Sequence, residues 1–193
     1  MNKKKSLLFK LAAVMSCFVI MVTAIPSITA QAATANALSL KYKGKTVKIF
    51  DGPADDSEWE NVKQTTYAKI KKAFGKPNKV TSSPYGTSDK LTVYKYKADG
   101  FTFEFRRYDS AKNEAFSLNG ITIKITSTKA ALNGIKVGMS YDKVLKQLEK
   151  NYSKSLITTQ KNKKKITLLI LGDLPVEYTF KDGKVSKINF FCS

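Results

Sequence analysis

The stretch at 133–152, NGIKVGMSYDKVLKQLEKNY, constrains this chain most, because its pattern occurs twice. Ser140 stands where a helix N-cap belongs. Tyr141, Val144, Leu145, Leu148 and Tyr152 then recur at helical spacing, with Lys143, Lys146, Gln147 and Lys150 on the other side. The earlier occurrence is 66–77, TYAKIKKAFGKP: Thr66 is the cap, Tyr67, Ile70, Ala73 and Phe74 form the stripe, and Gly75 and Pro77 stop the helix.

The correspondence continues downstream at almost constant offset, as a duplication requires and a chance helical match does not. Residues 91–96 (LTVYKY) sit opposite 166–171 (ITLLIL), and Phe101, Phe103 and Phe105 sit opposite Val176, Tyr178 and Phe180. Each occurrence ends in a further strand, 121–126 and 185–192. The expected fold class is therefore α+β: two tandem helix-plus-three-strand antiparallel repeats forming one sheet with helices on one face, preceded by a β-hairpin. The expected segments are 1–32 as a signal peptide, 33–62 as hairpin and acidic loop, 63–127 as the first repeat and 128–193 as the second. The first repeat carries a longer loop, 107–118, and its Ser-, Gly- and Pro-rich connection 78–90 reads as a mobile loop.

Lys3, Lys4 and Lys5 precede an apolar run from Leu11 to Ile25, and Ala30-Gln31-Ala32 supplies a small-x-small cleavage pattern. The run falls short of the ~20 apolar residues of a membrane span. Cleavage after Ala32 would leave 161 residues, enough for one domain with its own core. Of the two cysteines, Cys17 would leave with the signal, making Cys192 the single cysteine of the mature chain. A cysteine-poor, Lys-rich export product fits a Gram-positive secreted or wall-associated location.

Loss of four signal lysines and no acid takes the formal charge from +19 to +15, so the chain is drawn to polyanions. Arg106 and Arg107 are the only arginines, which argues against a nucleic-acid reader, because base and phosphate forks favour Arg. Outside such a cell the abundant polyanion is the wall. The expected partner is an extracellular protein or an anionic wall polymer, with no nucleic acid and no membrane after cleavage.

Catalytic readings fail for want of residues. The chain has no histidine, which removes imidazole-based nucleophile pairs, imidazole zinc sites and the commonest general base. Paired-carboxylate chemistry needs two carboxyls across a cleft. Asp55, Asp56, Glu58 and Glu60 cluster on one loop, while Glu104 and Glu177 lie on a sheet face. That loop, 51–60 (DGPADDSEWE), lacks calcium-loop spacing and reads as a polar lead into the first helix, with Trp59 either stapled to that helix or exposed. No phosphate-binding glycine loop, metal or cofactor is implied, and the expectation is a non-enzyme.

Residues 37–50 alternate as a hairpin turning at Lys43-Gly44, expected to add two strands to an edge of the sheet. Along the later strands, Phe101, Phe103, Phe105, Ile121, Ile123 and Ile125 share one parity with Val176, Tyr178, Phe180, Ile188 and Phe190. The other parity is polar, as in a sheet covered on one side. Candidate binding residues on that face are Thr102, Glu104, Arg106, Lys124, Glu177, Lys181 and Lys187. Tyr94 and Tyr96 join them if Leu91 and Val93 point inward, and belong to the core if Lys95 points outward. The basic run 161–165 reads as a solvated hairpin end.

The run Gly138-Met139-Ser140 before the second helix, with Asp182-Gly183-Lys184-Val185 before the last strand, resembles the repeat unit of the secreted β-lactamase-inhibitor-protein type. It is also similar to the helix-then-sheet unit of small outer-membrane assembly lipoproteins. The resemblance spans about 66–191 and implies two units side by side whose joined sheet grips a partner protein. It implies no β-lactamase inhibition here: the disulfides and the acidic, aromatic hairpin loop of that family are missing, and 82–88 (SSPYGTS) offers only Tyr85. Domains of this look are frequent among exported proteins of Gram-positive bacteria. The expected function is a binding module using an open sheet face, the alternative a non-specific cationic wall-coating or structural protein.

Overall fold

The computed structural model describes residues 37–52, 63–110, 117–171 and 173–192. The chain divides into two compact units, 1–32 and 33–193, and every described residue lies in the second. The expected signal segment, 1–32, and the acidic residues Asp55, Asp56, Glu58 and Glu60, together with Trp59, lie outside the described residues. No helix among the described residues is long and apolar enough to cross a membrane.

Among the described residues the fold is α+β, sheet-rich, with two α-helices. In chain order the elements are β1 (Ala37–Tyr42), β2 (Lys45–Asp51), β3 (Lys63–Gln64), α1 (Tyr67–Phe74), β4 (Lys79–Tyr85), β5 (Asp89–Ala98), β6 (Phe101–Tyr108), β7 (Ser117–Ile125), β8 (Ala130–Leu132), β9 (Ile135–Lys136), α2 (Tyr141–Asn151), β10 (Ile157–Thr159), β11 (Lys165–Ile170), β12 (Leu174–Lys181) and β13 (Lys184–Cys192). One antiparallel sheet of eight strands runs β10-β11-β12-β13-β7-β6-β5-β4, and a second of five runs β3-β2-β1-β8-β9.

Each helix forms for the reasons its sequence suggests. Thr66 Oγ1 accepts from the Lys69 N–H at 3.3 Å, Ile70 and Phe74 are buried, and Gly75, at φ 85°, ends α1 by donating its N–H to the Lys71 carbonyl at 2.9 Å. In α2 the buried stripe is Tyr141, Val144 and Leu148. Ser140 occupies the cap position without a side-chain cap bond, and the Tyr141 N–H instead donates to the Gly183 carbonyl at 2.9 Å. The start of α2 is thus anchored on the β12–β13 turn.

Three expectations are corrected. The connection 78–90 is not a loop: it forms β4, which pairs with β5 from Lys79↔Lys95 to Tyr85↔Asp89. With β10 ahead of β11, each helix is followed by four strands of the large sheet, not three. Every residue of β4 is exposed, so no apolar alternation announces it, and its order comes from backbone pairing. There are two sheets, not one, because the opening hairpin does not extend an edge.

The hairpin lies instead against the buried face of the large sheet, Tyr42 stacking on Phe101 at 4.3 Å and Phe50 lying 6.1 Å from Phe190. The reason is coverage. Eight strands at ~4.8 Å spacing span about 34 Å, whereas two helices of ~10 Å diameter shield only about 20 Å. Leu38, Leu40, Tyr42, Ile49 and Phe50 fill the remainder and share one core cluster with the sheet and both helices. β8 and β9, joined at Asn133-Gly134 with positive φ at both residues, continue this smaller sheet. The Asn133 Oδ1 accepts from the Ser39 N–H at 2.8 Å.

Tyr94 and Tyr96 are core residues, 7% and 1% exposed. Tyr94 stacks on Tyr67 at 4.2 Å, and the Tyr96 hydroxyl donates to the Gly75 carbonyl at 3.0 Å. Tyr178 is fully buried and its hydroxyl has no hydrogen-bond partner among the described residues. The two phenols therefore respond oppositely to loss of the oxygen. Tyr96→Phe should destabilise by about 1 kcal/mol, while Tyr178→Phe, which removes a desolvated group without partner, should leave stability unchanged or raise it; urea denaturation midpoints check both.

Burial pushes the phenols of Tyr96, Tyr152 and Tyr178 above the ordinary value of 10.0, Tyr152 to about 12. Above pH ~10 the unfolded chain releases phenolic protons that the folded chain retains. The stabilisation is complete below that pH and is lost as pH rises toward about 12. Thermal melting between pH 8 and pH 11.5 should show Tm falling only above about pH 10; a Tm flat across that range contradicts the burial argument.

Candidate functional site

The outer face of the large sheet is built by strand alternation. Because Phe103, Ile123, Phe190 and Val176 point inward in one paired row, their chain neighbours point outward. Thr102, Lys124, Asn189 and Glu177 are successive cross-strand partners on β6, β7, β13 and β12, and Glu104, Thr122 and Phe191 form the next row. The structure thus brings Thr102, Glu104, Lys124 and Glu177 together. Arg106 lies beyond a register shift on β6, its side chain folded over Gly120: a Cβ there would stand 2.5 Å from the Arg106 Cδ. Lys187 pairs with Thr179 a row further along, and Lys181 sits at the hairpin end opposite Lys184. Tyr94 and Tyr96 are absent from this face, because Lys95, between them, points outward.

Both carboxylates of the face are neutralised by lysines of the adjacent strand. Lys95 Nζ lies 3.0 Å from Glu104 Oε2, and Lys165 Nζ lies 2.7 Å from Glu177 Oε1. Neither glutamate faces the other across a cleft, so the pair has no general acid–base geometry. No group of three or more His, Cys, Asp or Glu among the described residues could hold a metal ion.

Phe191, 58% exposed, stands on this face near the end of β13, one of the two central strands. It borders a shallow depression of about 210 Å³ lined by Thr122, Lys124, Pro175, Glu177 and Asn189. Beside Pro175, the exposed ring offers an apolar anchor of the kind that interfaces use. Sequence parity places Phe191 on this face; the central position of β13, which makes it an anchor, depends on strand order.

A second feature escapes the sequence entirely. Between β2, β3 and α1 lies a cleft of about 710 Å³ lined by Lys45, Lys48, Lys63, Lys69 and Lys72, with Thr46, Val47, Asp51, Gln64, Thr65 and Ala73. Lys69 and Lys72 read as the solvated side of an amphipathic helix. Only docking of the hairpin beside α1 sets them facing the β2 lysines.

The outer-face ion pairs are partly exposed, Lys95 at 39% and Glu104 at 27%, so they define polarity more than they add stability. A double-mutant cycle of Lys95→Gln and Glu104→Gln should return a coupling of about 0.2–1 kcal/mol that shrinks with added salt.

No family model matches this chain, and no curated protein does. Among solved structures, a candidate beta-lactamase inhibitor protein from Streptococcus mutans is similar over 70% of this chain and 86% of its own, at 17% identity and a TM-score of 0.28.

Proposed function

We propose that this chain is an exported, wall-associated, non-enzymatic binding module that holds a partner protein against the outer face of its eight-stranded sheet. The observation that carries this reading is Phe191, exposed at 58% on a central strand of that face. Around it the geometry supplies what an interface uses: an apolar centre in Phe191 and Pro175, carboxylates already paired, and a polar rim of Thr102, Lys124 and Asn189. Export rests on the amino-terminal sequence pattern and the wall association on net charge. We read the two helix-plus-strands segments as copies of one unit, which accounts for the single face to which both contribute.

The competing reading, a cationic coating without a specific site, is favoured by the formal charge of +15 that the exported chain would keep. Salt separates the two, because the Debye length falls from ~10 Å at 0.1 M to ~3 Å at 1 M and screens exposed charges but not an apolar anchor. Envelope and culture-supernatant proteins of its own source should be captured on the immobilised chain and washed in rising salt. The expected outcome is one protein retained at 1 M salt and released by Phe191→Ser, with thermal stability shifted by less than about 0.5 kcal/mol because the side chain is exposed. Elution of everything at moderate salt, alike from both forms, sinks the specific-partner reading.

A further inference from the structure

The lysine-lined cleft lies away from the outer face, and the function proposed above leaves it unused. Among the described residues, five ammonium groups, from Lys45, Lys48, Lys63, Lys69 and Lys72, share it with one carboxylate, Asp51. That carboxylate is engaged by Lys48, Nζ to Oδ2 2.7 Å. The other four lysines have no ion pair among the described residues. Gathering four like charges in one concavity raises the local positive potential and costs self-repulsion, which an anion relieves. We propose that this cleft is a binding site for a polyol-phosphate chain, a flexible polymer alternating phosphodiesters with hydroxyl-bearing carbons.

Two features of the lining select that chemistry. A single phosphate monoester carries at most about −2, too little to balance four ammonium groups, so the ligand bears several anionic groups in series. Among the described residues the lining contains no arginine and no aromatic ring, so these residues offer neither the forks that read base edges nor the platforms on which bases stack. Lysine, a compact charge on a flexible stem, suits phosphodiesters whose spacing varies.

The test is fluorescence anisotropy of labelled poly(glycerol phosphate) with the full chain across a salt series. Lys69→Gln with Lys72→Gln should weaken binding about tenfold at low salt and reduce the slope of log K against log salt by about 1.4, at ~0.7 per phosphate contact. Lys143→Gln with Lys150→Gln, an equal charge loss on the exposed side of α2, should change affinity less than about twofold. Phe191→Ser should leave polymer affinity unchanged, so failure here and failure of the sheet-face reading are separable. Equal weakening by both lysine pairs, or none by the first, overturns the site in favour of diffuse attraction. Equally tight binding of a charge-matched single-stranded dT oligomer overturns the polyol assignment. All four lysines replaced are exposed, so loss of fold does not intervene, and melting curves of each variant verify this.

Discussion

The structure depends on the antiparallel pairing of β7 with β13, Ile121 opposite Cys192 through Ile125 opposite Ile188. Each strand ends a four-strand meander that follows its own helix. Separately, either meander would present a long unpaired edge, which invites aggregation. Joined, they place Ile121, Ile123, Ile125, Ile188, Phe190 and Cys192 in one buried strip under the centre of the sheet. The same pairing puts Phe191 outward on a central strand, so core and candidate interface share one strand and differ only in parity.

Closure of the core sets where charge can go. Two short helices cannot cover eight strands, so the hairpin is drawn onto the buried face. Its free side then comes to lie beside α1, and the lysines that both elements expose to water become the walls of one cleft. The cationic site is thus a by-product of coverage: the chain places lysines wherever a surface is solvated, and packing decides which of them meet. On the outer face the opposite holds, since Glu104 and Glu177 each find a lysine on the neighbouring strand.

Much of this was legible along the chain. Both helices, their stripes, the cap at Thr66 and the stop at Gly75 follow from local periodicity and φ preferences, and most strands of the large sheet follow from alternation. The strand β4 did not, because its seven exposed residues carry no apolar parity. Tyr94 and Tyr96 stayed undecided on parity alone, as both faces of their strand offer apolar side chains; stacking on Tyr67 and Phe105 decides it. Of the candidate binding residues, Thr102, Glu104, Lys124 and Glu177 share two adjacent rows, whereas Lys181 is remote at a hairpin end.

By itself the sequence determined the α+β class, the two-faced polarity of β6, β7, β12 and β13, the excess of positive charge and the absence of imidazole chemistry. These are properties of composition and of periods of 2 and 3.6, which need no long-range contact to be read. Strand order, the site of the hairpin, the place of Phe191 on a central strand and the assembly of the lysine cleft were decided only by the tertiary structure. Each joins segments far apart in the chain, and what brings them together is burial of a common apolar face, which acts on the folded whole and leaves no local mark in the residues it assembles.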